Sequence, residues 1–359
     1  MKNKRLIVLL FLIIILSLTV ACSKNKTEVQ NLDLFNPKIA SNLAEEYLEL
    51  VKNNNIEEAN KLCTEKLLAK NKEISLGDSK IIAFAPDSVI ESSRAAYVTF
   101  NVVRNSESEP KCDLDNYAIR VIKDNASYKI DEVKAMNKKQ IFVRNNSLRM
   151  IGESGGDSNL IITLKNMPKD IYLKENNLML YKDNIVSDSF GIVSLGYEGQ
   201  RIAISTMGND KTLLTIAYIE ESKPAQASNV SGETTEIEGS LEDVLDKPIA
   251  KKVITLDMLE KISLRNLVFT REEGYLIVEY TNDKSNSRIN IYDTSNGDLI
   301  PLKFDSIFPV EKYSLTLKSF DKDECIIDVK GKSGESNVRE ELFGEYKINI
   351  KDATVKKSI

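Results

Sequence analysis

The spacing of apolar residues takes three forms along the chain. Leu6–Leu16 is an unbroken apolar run. From Pro37 onward, apolar residues recur every three or four positions, first at Ile39, Leu43, Tyr47 and Val51, and, after Asn53-Asn54-Asn55, at Ile56, Ala59, Leu62, Cys63 and Leu67. This spacing predicts two helices, the second shorter than the first, that form a helical hairpin with one buried stripe.

After these helices the apolar positions follow a period of two. Ile81–Ala85 is apolar, and alternation with polar residues follows at Ala96, Val98, Phe100 and Val102 and at Tyr117, Ile119 and Val121. A last short strand is predicted at Tyr128–Val133. Such alternation is typical of antiparallel strands. From Ile141 onward strand-turn-strand patterns dominate, so we expect the second half to be all-β.

The second half contains a weak internal repeat. The segment "IVSLGYEGQRIAIST" from Ile192 aligns with "LVFTREEGYLIVEYT" from Leu267, which places Glu198 over Glu273, and a third copy, "LKSFDKDECIIDV", begins at Leu317. Without about 30 residues of the hydrophilic stretch Glu220–Lys252, the copies are spaced by about 45 to 50 residues. The copies resemble β-propeller blades. A β-sandwich of hairpins would show similar patterns, so both architectures stay open.

Two stretches near the N-terminus carry a second resemblance. "YLELVKNNNIEEANKLC" and "NASYKIDEV" are similar to segments of the nuclear transport factor 2-like superfamily, which implies a cone-shaped α+β fold over residues 36–138. The expected fold class is therefore an α+β N-terminal domain, a helical hairpin on a curved antiparallel sheet. An all-β, propeller-like or sandwich-like domain follows at 139–359, with a hydrophilic insert at 220–252.

The pattern of residues at the N-terminus indicates an export signal. Lys2, Lys4 and Arg5 precede the apolar run, and Leu6–Ala21 supplies only 16 residues where a membrane span needs about 20. Thr19-Val20-Ala21-Cys22 resembles the lipobox of bacterial lipoproteins. That resemblance implies removal of residues 1–21 as a lipoprotein signal peptide and attachment of diacylglyceryl and palmitate chains to Cys22. Residues 22–35 would then be a lipid-anchored tether on the extracytoplasmic face of the cell membrane.

Charge and composition exclude several functions. Removing residues 1–21 takes away three positive charges and leaves 46 Lys and Arg against 54 Asp and Glu, a net charge of −8. Nucleic acid is therefore not an expected partner. The chain has no histidine, which excludes histidine-based triads and histidine zinc sites. The G-x-S-x-G match at Gly152–Gly156 consequently lacks a base and is interpreted as a turn between the strands Leu148–Ile151 and Leu160–Leu164.

The remaining cysteines and acidic clusters predict no reactive site. Cys63 and Cys325 lie among apolar residues and are interpreted as core residues, whereas Cys112 is expected to be exposed in a charged loop. Asp113 and Asp115, a close carboxylate pair of the N-terminal domain, are interpreted as part of a solvated loop. The acidic turns Asp293–Asp298 and Asp321–Glu324 are interpreted as hairpin turns rather than metal sites. We therefore predict no catalytic residue, no metal and no cofactor.

Three hypotheses about function follow. The favoured one is a membrane-anchored lipoprotein that acts without catalysis as a binding or assembly module at the cell envelope, with an envelope protein or polymer as partner. The stretch Glu220–Lys252 is a candidate contact region for that partner. The second is a small-ligand-binding lipoprotein that uses the N-terminal cone. The third, least favoured, is a carboxylate-dependent envelope glycan hydrolase.

Overall fold

The computed structural model describes residues 35–70, 78–124, 127–153, 155–172, 182–220, 247–283, 286–332 and 338–358. Pro37–Ile359 form one compact unit. Cys22, the signal peptide and all but one residue of the tether lie outside the described residues, as does Ser154, so lipidation at Cys22 stays a prediction. None of the described helices is long and apolar enough to span a membrane.

Three helices open the described chain: α1 (Pro37–Lys52), α2 (Ile56–Lys61) and α3 (Glu65–Lys70). The buried stripe of α1 consists of Ala40, Ala44, Tyr47 and Leu48, and it packs across the strands that follow. The predicted second helix is divided into α2 and α3, so the prediction of one continuous helix was wrong. Between α2 and α3 the Thr64 N–H donates to the Ile130 carbonyl at 2.8 Å, and the Ile130 N–H donates to the Leu62 carbonyl at 2.9 Å. This pairing with a strand replaces helical hydrogen bonds.

The first sheet has six antiparallel strands in chain order. They are β1 (Ser79–Ser92), β2 (Ala95–Ser106), β3 (Lys111–Asp124), β4 (Ser127–Arg144), β5 (Ser147–Gly152) and β6 (Asn159–Thr163). The predicted short strand Tyr128–Val133 is the first part of the much longer β4. The predicted domain boundary between residues 138 and 139 lies within β4, so the first sheet spans both predicted domains. The predicted strand pair around the Gly152–Gly156 turn is confirmed as β5 and β6.

Three further sheets follow, each an antiparallel meander in chain order. After the hairpin β7 (Asp170–Tyr172) and β8 (Lys182–Asn184), the second sheet contains β9 (Ser189–Leu195), β10 (Arg201–Gly208), β11 (Lys211–Ile219) and β12 (Ala250–Glu260). The third contains β13 (Ile262–Phe269), β14 (Tyr275–Asn282) and β15 (Ser287–Asp293). After α4 (Phe304–Ile307), the fourth contains β16 (Tyr313–Phe320), β17 (Glu324–Gly331), β18 (Gly344–Asn349) and β19 (Thr354–Lys357).

The β region is propeller-like. The three copies of the predicted repeat form the hairpins β9–β10, β13–β14 and β16–β17, each of which is the first hairpin of its sheet. The first strand of every sheet lies at one edge, and these edge strands approach one another as the inner strands of propeller blades do. The hydrophilic insert is shorter than predicted at its C-terminal end, because β12 begins at Ala250.

The core is shared between the sheets. One continuous apolar cluster joins the first, second and third sheets through residues such as Leu114, Leu148, Ile204, Leu214 and Val278. A second cluster lies between the third and fourth sheets, where the rings of Phe308 and Tyr346 meet edge to face with centroids 4.9 Å apart.

All three described cysteines are buried. The burial of Cys63 and Cys325 is confirmed, whereas the expected exposure of Cys112 was wrong. Cys112 lies in β3, and its thiol accepts a hydrogen bond from the Leu195 N–H at 3.4 Å. Alternation along β3 turns Cys112 and Leu114 toward the second sheet, where both enter the shared core.

Candidate ligand-binding cavity

The inner edge strands of all four sheets line one cavity of about 880 Å³. Its walls come from β1, β9, β13 and β16, and the C-terminal end of α1 and the loop between β2 and β3 complete it. A cavity of this size lies within the usual range for ligand sites. Because it forms where separate sheets meet, no single segment of the sequence encodes it.

Each inner strand carries a β-bulge where it lines the cavity. The extra residue is Ile82 on β1, Arg265 on β13 and Lys318 on β16. On β9, the pair Gly191-Ile192 lies opposite the single residue Ser205, whose hydroxyl donates to the Ile192 carbonyl at 2.8 Å. A bulge bends its strand and redirects a side chain, and bulges are frequent next to functional sites. Four bulges therefore shape the wall of the cavity.

Apolar and polar side chains share the lining. Apolar surface comes mainly from Ile81, Phe190, Ile192, Val268, Leu317 and Phe320. Polar groups include Ser205, Ser263 and Asn266, together with the charged residues described below. Such a mixture can hold an amphipathic ligand and fix its orientation through a few polar contacts.

Three buried polar residues line this cavity, namely Ser205, Asn105 and Glu279. Asn105 is 8% exposed, and its Oδ1 has no hydrogen-bond partner among the described residues. Glu279 is 7% exposed and binds across the third and fourth sheets. Its Oε2 accepts from Asn266 Nδ2 and its Oε1 from the Leu317 N–H, both at 2.8 Å. A buried acceptor without a partner costs free energy, and the Asn105 oxygen is such an acceptor behind the surface of the cavity wall.

The charges around the cavity are unevenly distributed. Lys80 pairs with Glu107, and Lys52 with Glu49. Arg265 and Lys318, the two basic bulge residues, have no acidic partner in the part of the chain that the structure describes. Glu109 lies on the opposite side, in the loop between β2 and β3. The edge formed by β13 and β16 therefore carries two cations without ion pairs, beside the hydrogen-bonded carboxyl group of Glu279.

The carboxylate pair Asp113 and Asp115 lies elsewhere and is not solvated, so its assignment to a loop was wrong. Both residues belong to β3, and they are 4% and 2% exposed. Arg104 Nε binds Asp115 Oδ2 at 2.6 Å, and Arg104 Nη2 lies 3.6 Å from Asp113 Oδ2. Asn137 Nδ2 donates to Asp115 at 2.8 Å and Gln140 Nε2 to Asp113 at 2.6 Å. Every carboxylate oxygen is thus bound.

Arg104 stays charged in this buried cluster. Burial is the largest single influence on the pKa of its guanidinium and lowers it. The hydrogen bond and the charge of Asp115 act in the opposite direction, and the net change in the pKa is upward. Two acids held by a permanent cation are suited to a structural role. Among the described residues no group of three or more Cys, Asp or Glu side chains is arranged to hold a metal ion.

The sequence predictions did not find the cavity. Neither Arg265 nor Lys318 lies in a recognisable motif, and Asn105 lies at the end of an ordinary strand pattern. A weak signal existed near the start of the second and third repeat copies. In "LRNLVF", which begins just before the second copy, and in "LKSF", which begins the third, a basic residue follows a leucine of the inner strand, and both basic residues occupy bulges.

No known family model matches the chain, and no curated protein does. Solved structures with similarity include a prolyl endopeptidase, at 13% identity and a TM-score of 0.23. That match covers 73% of this chain and only 33% of the prolyl endopeptidase chain. Kluyveromyces lactis Hsv2 is 9% identical, with a TM-score of 0.25 and coverage of 73% and 71%. The β-propeller domain of Myceliophteria thermophila Cps50 (Swd1) is 10% identical, with a TM-score of 0.26 and coverage of 69% and 80%. These matches are distant, and the propeller-like description rests on the sheet topology.

Proposed function

We propose that this protein is a lipid-anchored binding protein of the bacterial cell envelope and that the cavity between the four sheets is its binding site. The single observation that carries the proposal is the convergence of four bulged edge strands on one cavity. Anchoring through Cys22 rests on the lipobox and the short apolar run before it.

A binding role without catalysis is supported by the chemistry of the charged groups. Asp113 and Asp115 share Arg104, and Glu279 holds two sheets together through Asn266 and Leu317. A carboxylate-dependent hydrolase would need one acid free to give a proton and a second free to attack or to activate water. The cavity offers fixed hydrogen-bonding groups instead, as a binding protein requires.

The relation to nuclear transport factor 2-like proteins remains part of this proposal. It is supported by α1, which packs across β1, β2, β3 and β4. The alternative is that a small apolar ligand binds inside that N-terminal domain. The space between α1 and the first sheet contains Phe84 and Phe100, which meet edge to face with centroids 5.8 Å apart.

Site-specific photo-cross-linking in cells tests the proposal. A photoreactive residue would replace Met207, which lines the cavity and is 44% exposed. The matched control replaces Met136, which is 54% exposed on β4 and is not among the lining residues. We expect an adduct from position 207 and none from position 136, in membrane fractions only.

The same experiment in a Cys22→Ala background tests the anchor. This variant is expected to leave the membrane fraction and to lose an adduct that forms only at the envelope. Equal labelling from positions 207 and 136 would show that the cavity is not the binding site. Membrane retention of the Cys22→Ala protein would contradict lipid anchoring.

A further inference from the structure

We propose that the cavity binds an extended peptide segment that carries an acidic side chain, held along the free edge of β13 with its acidic group between Arg265 and Lys318. This inference rests on the proposed function, because it names the class of ligand for the same site. Two independent features of the cavity wall support it.

The first feature is the free edge of β13. This strand pairs with β14 along one side only. Among the inner strands it contributes the longest run to the cavity, Ile262–Asn266, together with Val268. An unpaired strand edge presents N–H and C=O groups that an extended peptide can pair with. The bulge at Arg265 interrupts this edge, so we expect a short paired segment rather than a full added strand.

The second feature is charge. Arg265 and Lys318 are both exposed, both are extra residues of a bulge, and both line the cavity on neighbouring inner strands. Neither makes an ion pair within the described residues. In a protein with a net negative charge, two cations without ion pairs in the wall of one cavity attract an anionic group.

The free edge of β13 also decides between two classes of ligand. A peptide supplies main-chain N–H donors at regular spacing along an extended segment. An acidic saccharide also carries donors and charge, but it has no alternating donors and acceptors to match a strand edge. The wall therefore favours a peptide over a saccharide.

Selection from a displayed library of short random peptides tests this inference with the full-length chain in detergent. We expect enriched peptides to be rich in Asp and Glu, and the affinity of a synthetic winner to fall about tenfold or more in the double variant Arg265→Gln/Lys318→Gln. The matched control, Arg94→Gln/Lys356→Gln, removes the same charges at exposed positions away from the cavity and should change the affinity less than about twofold. Equal losses in the double variant and in its charge-matched control would overturn the assignment of Arg265 and Lys318.

A galacturonate oligomer serves as the saccharide probe. If this oligomer binds through Arg265 and Lys318 and no peptide family is enriched, the peptide assignment is wrong while the proposed function stands. If no peptide is enriched and photo-cross-linking at Met207 still yields an adduct, the assignment of a peptide ligand is wrong while the proposed function stands. If position 207 also yields none, the proposed function fails with it.

Discussion

Glu273 Oε1 accepts a hydrogen bond at 2.9 Å from the backbone N–H of Glu198, the residue at the equivalent position of the preceding repeat. The turns of two neighbouring sheets are thereby joined. Glu273 is 4% exposed, has a φ of +56° and lies 3.2 Å from Arg201 Nη1 through Oε2. A Cβ at Gly196 would come within 2.6 Å of the same carboxyl group. The second sheet thus provides a close-fitting pocket for this side chain.

Replacing Glu273 by alanine should lower the free energy of unfolding by about 2 kcal/mol, because it leaves the Glu198 N–H without its acceptor and Arg201 without its ion pair. Denaturant unfolding measures this change. Glu272 is a matched control in the same turn, since it pairs with Lys322 at the surface. Glu272→Ala should cost less than about 0.5 kcal/mol. Equal losses in the two variants would contradict the role of Glu273.

The stability contribution of Glu273 should depend on pH. Burial is the main cause that raises the pKa of its carboxyl above the ordinary value of 4.5, and the Glu198 N–H and Arg201 offset only part of this effect. Because the pKa of Glu273 is higher in the folded than in the unfolded protein, its contribution to the free energy of unfolding is most favourable at a pH below its pKa in the unfolded protein. This contribution declines as the pH rises through its pKa in the folded protein. Glutamine cannot ionise.

Glu273→Gln should therefore become more stable relative to the natural protein as the pH rises from about 4 to about 7. The measurement is the difference in free energy of unfolding between the two proteins at several pH values. Glu272→Gln should show no comparable trend. A difference that stays constant with pH, or moves in the other direction, would mean that the pKa of Glu273 is not raised by folding.

The three buried cysteines should resist thiol reagents in the folded protein. Burial raises the pKa of Cys63 to about 11 and that of Cys325 to about 12, and it raises the pKa of Cys112 as well. The reactive thiolate is therefore scarce at neutral pH. On a Cys22→Ala background, maleimide should label none of these residues before unfolding and all three afterwards, as counted by mass spectrometry. Rapid labelling of Cys112 in the folded protein would show that its thiol is exposed to solvent.

Gly208 should tolerate no side chain. A Cβ there would lie 2.1 Å from the backbone oxygen of Val186, whereas a Cβ at Gly152 meets nothing within 4 Å. Gly208→Ala should lower the free energy of unfolding by about 1 to 3 kcal/mol, since backbone must move to admit the methyl group. Gly152→Ala should be close to neutral. Thermal or denaturant unfolding of the pair is the measurement, and similar stabilities would show that β10 relaxes away from Val186.

The local periodicity of the sequence predicted most individual elements. The helical spacing from Pro37 and the alternation around Val98 and Ile119 correspond to α1, β2 and β3, and the repeat alignment identified the first hairpin of three sheets. These features are local, because a helix or a half-buried strand shows its own period in the chain. The absence of histidine and the apolar run before Cys22 are also properties of the sequence alone.

Only the tertiary structure decided whether charged segments form strands or loops and where their side chains lie. The run around Cys112, Asp113 and Asp115 is polar enough to predict a loop, yet it forms part of a central strand because Arg104 on the neighbouring strand binds both acids. The bulges at Arg265 and Lys318 exist only relative to the register of a partner strand. Pairing between strands and the meeting of four sheets depend on contacts between residues far apart in the chain. A local pattern therefore could not predict the cavity that these contacts enclose.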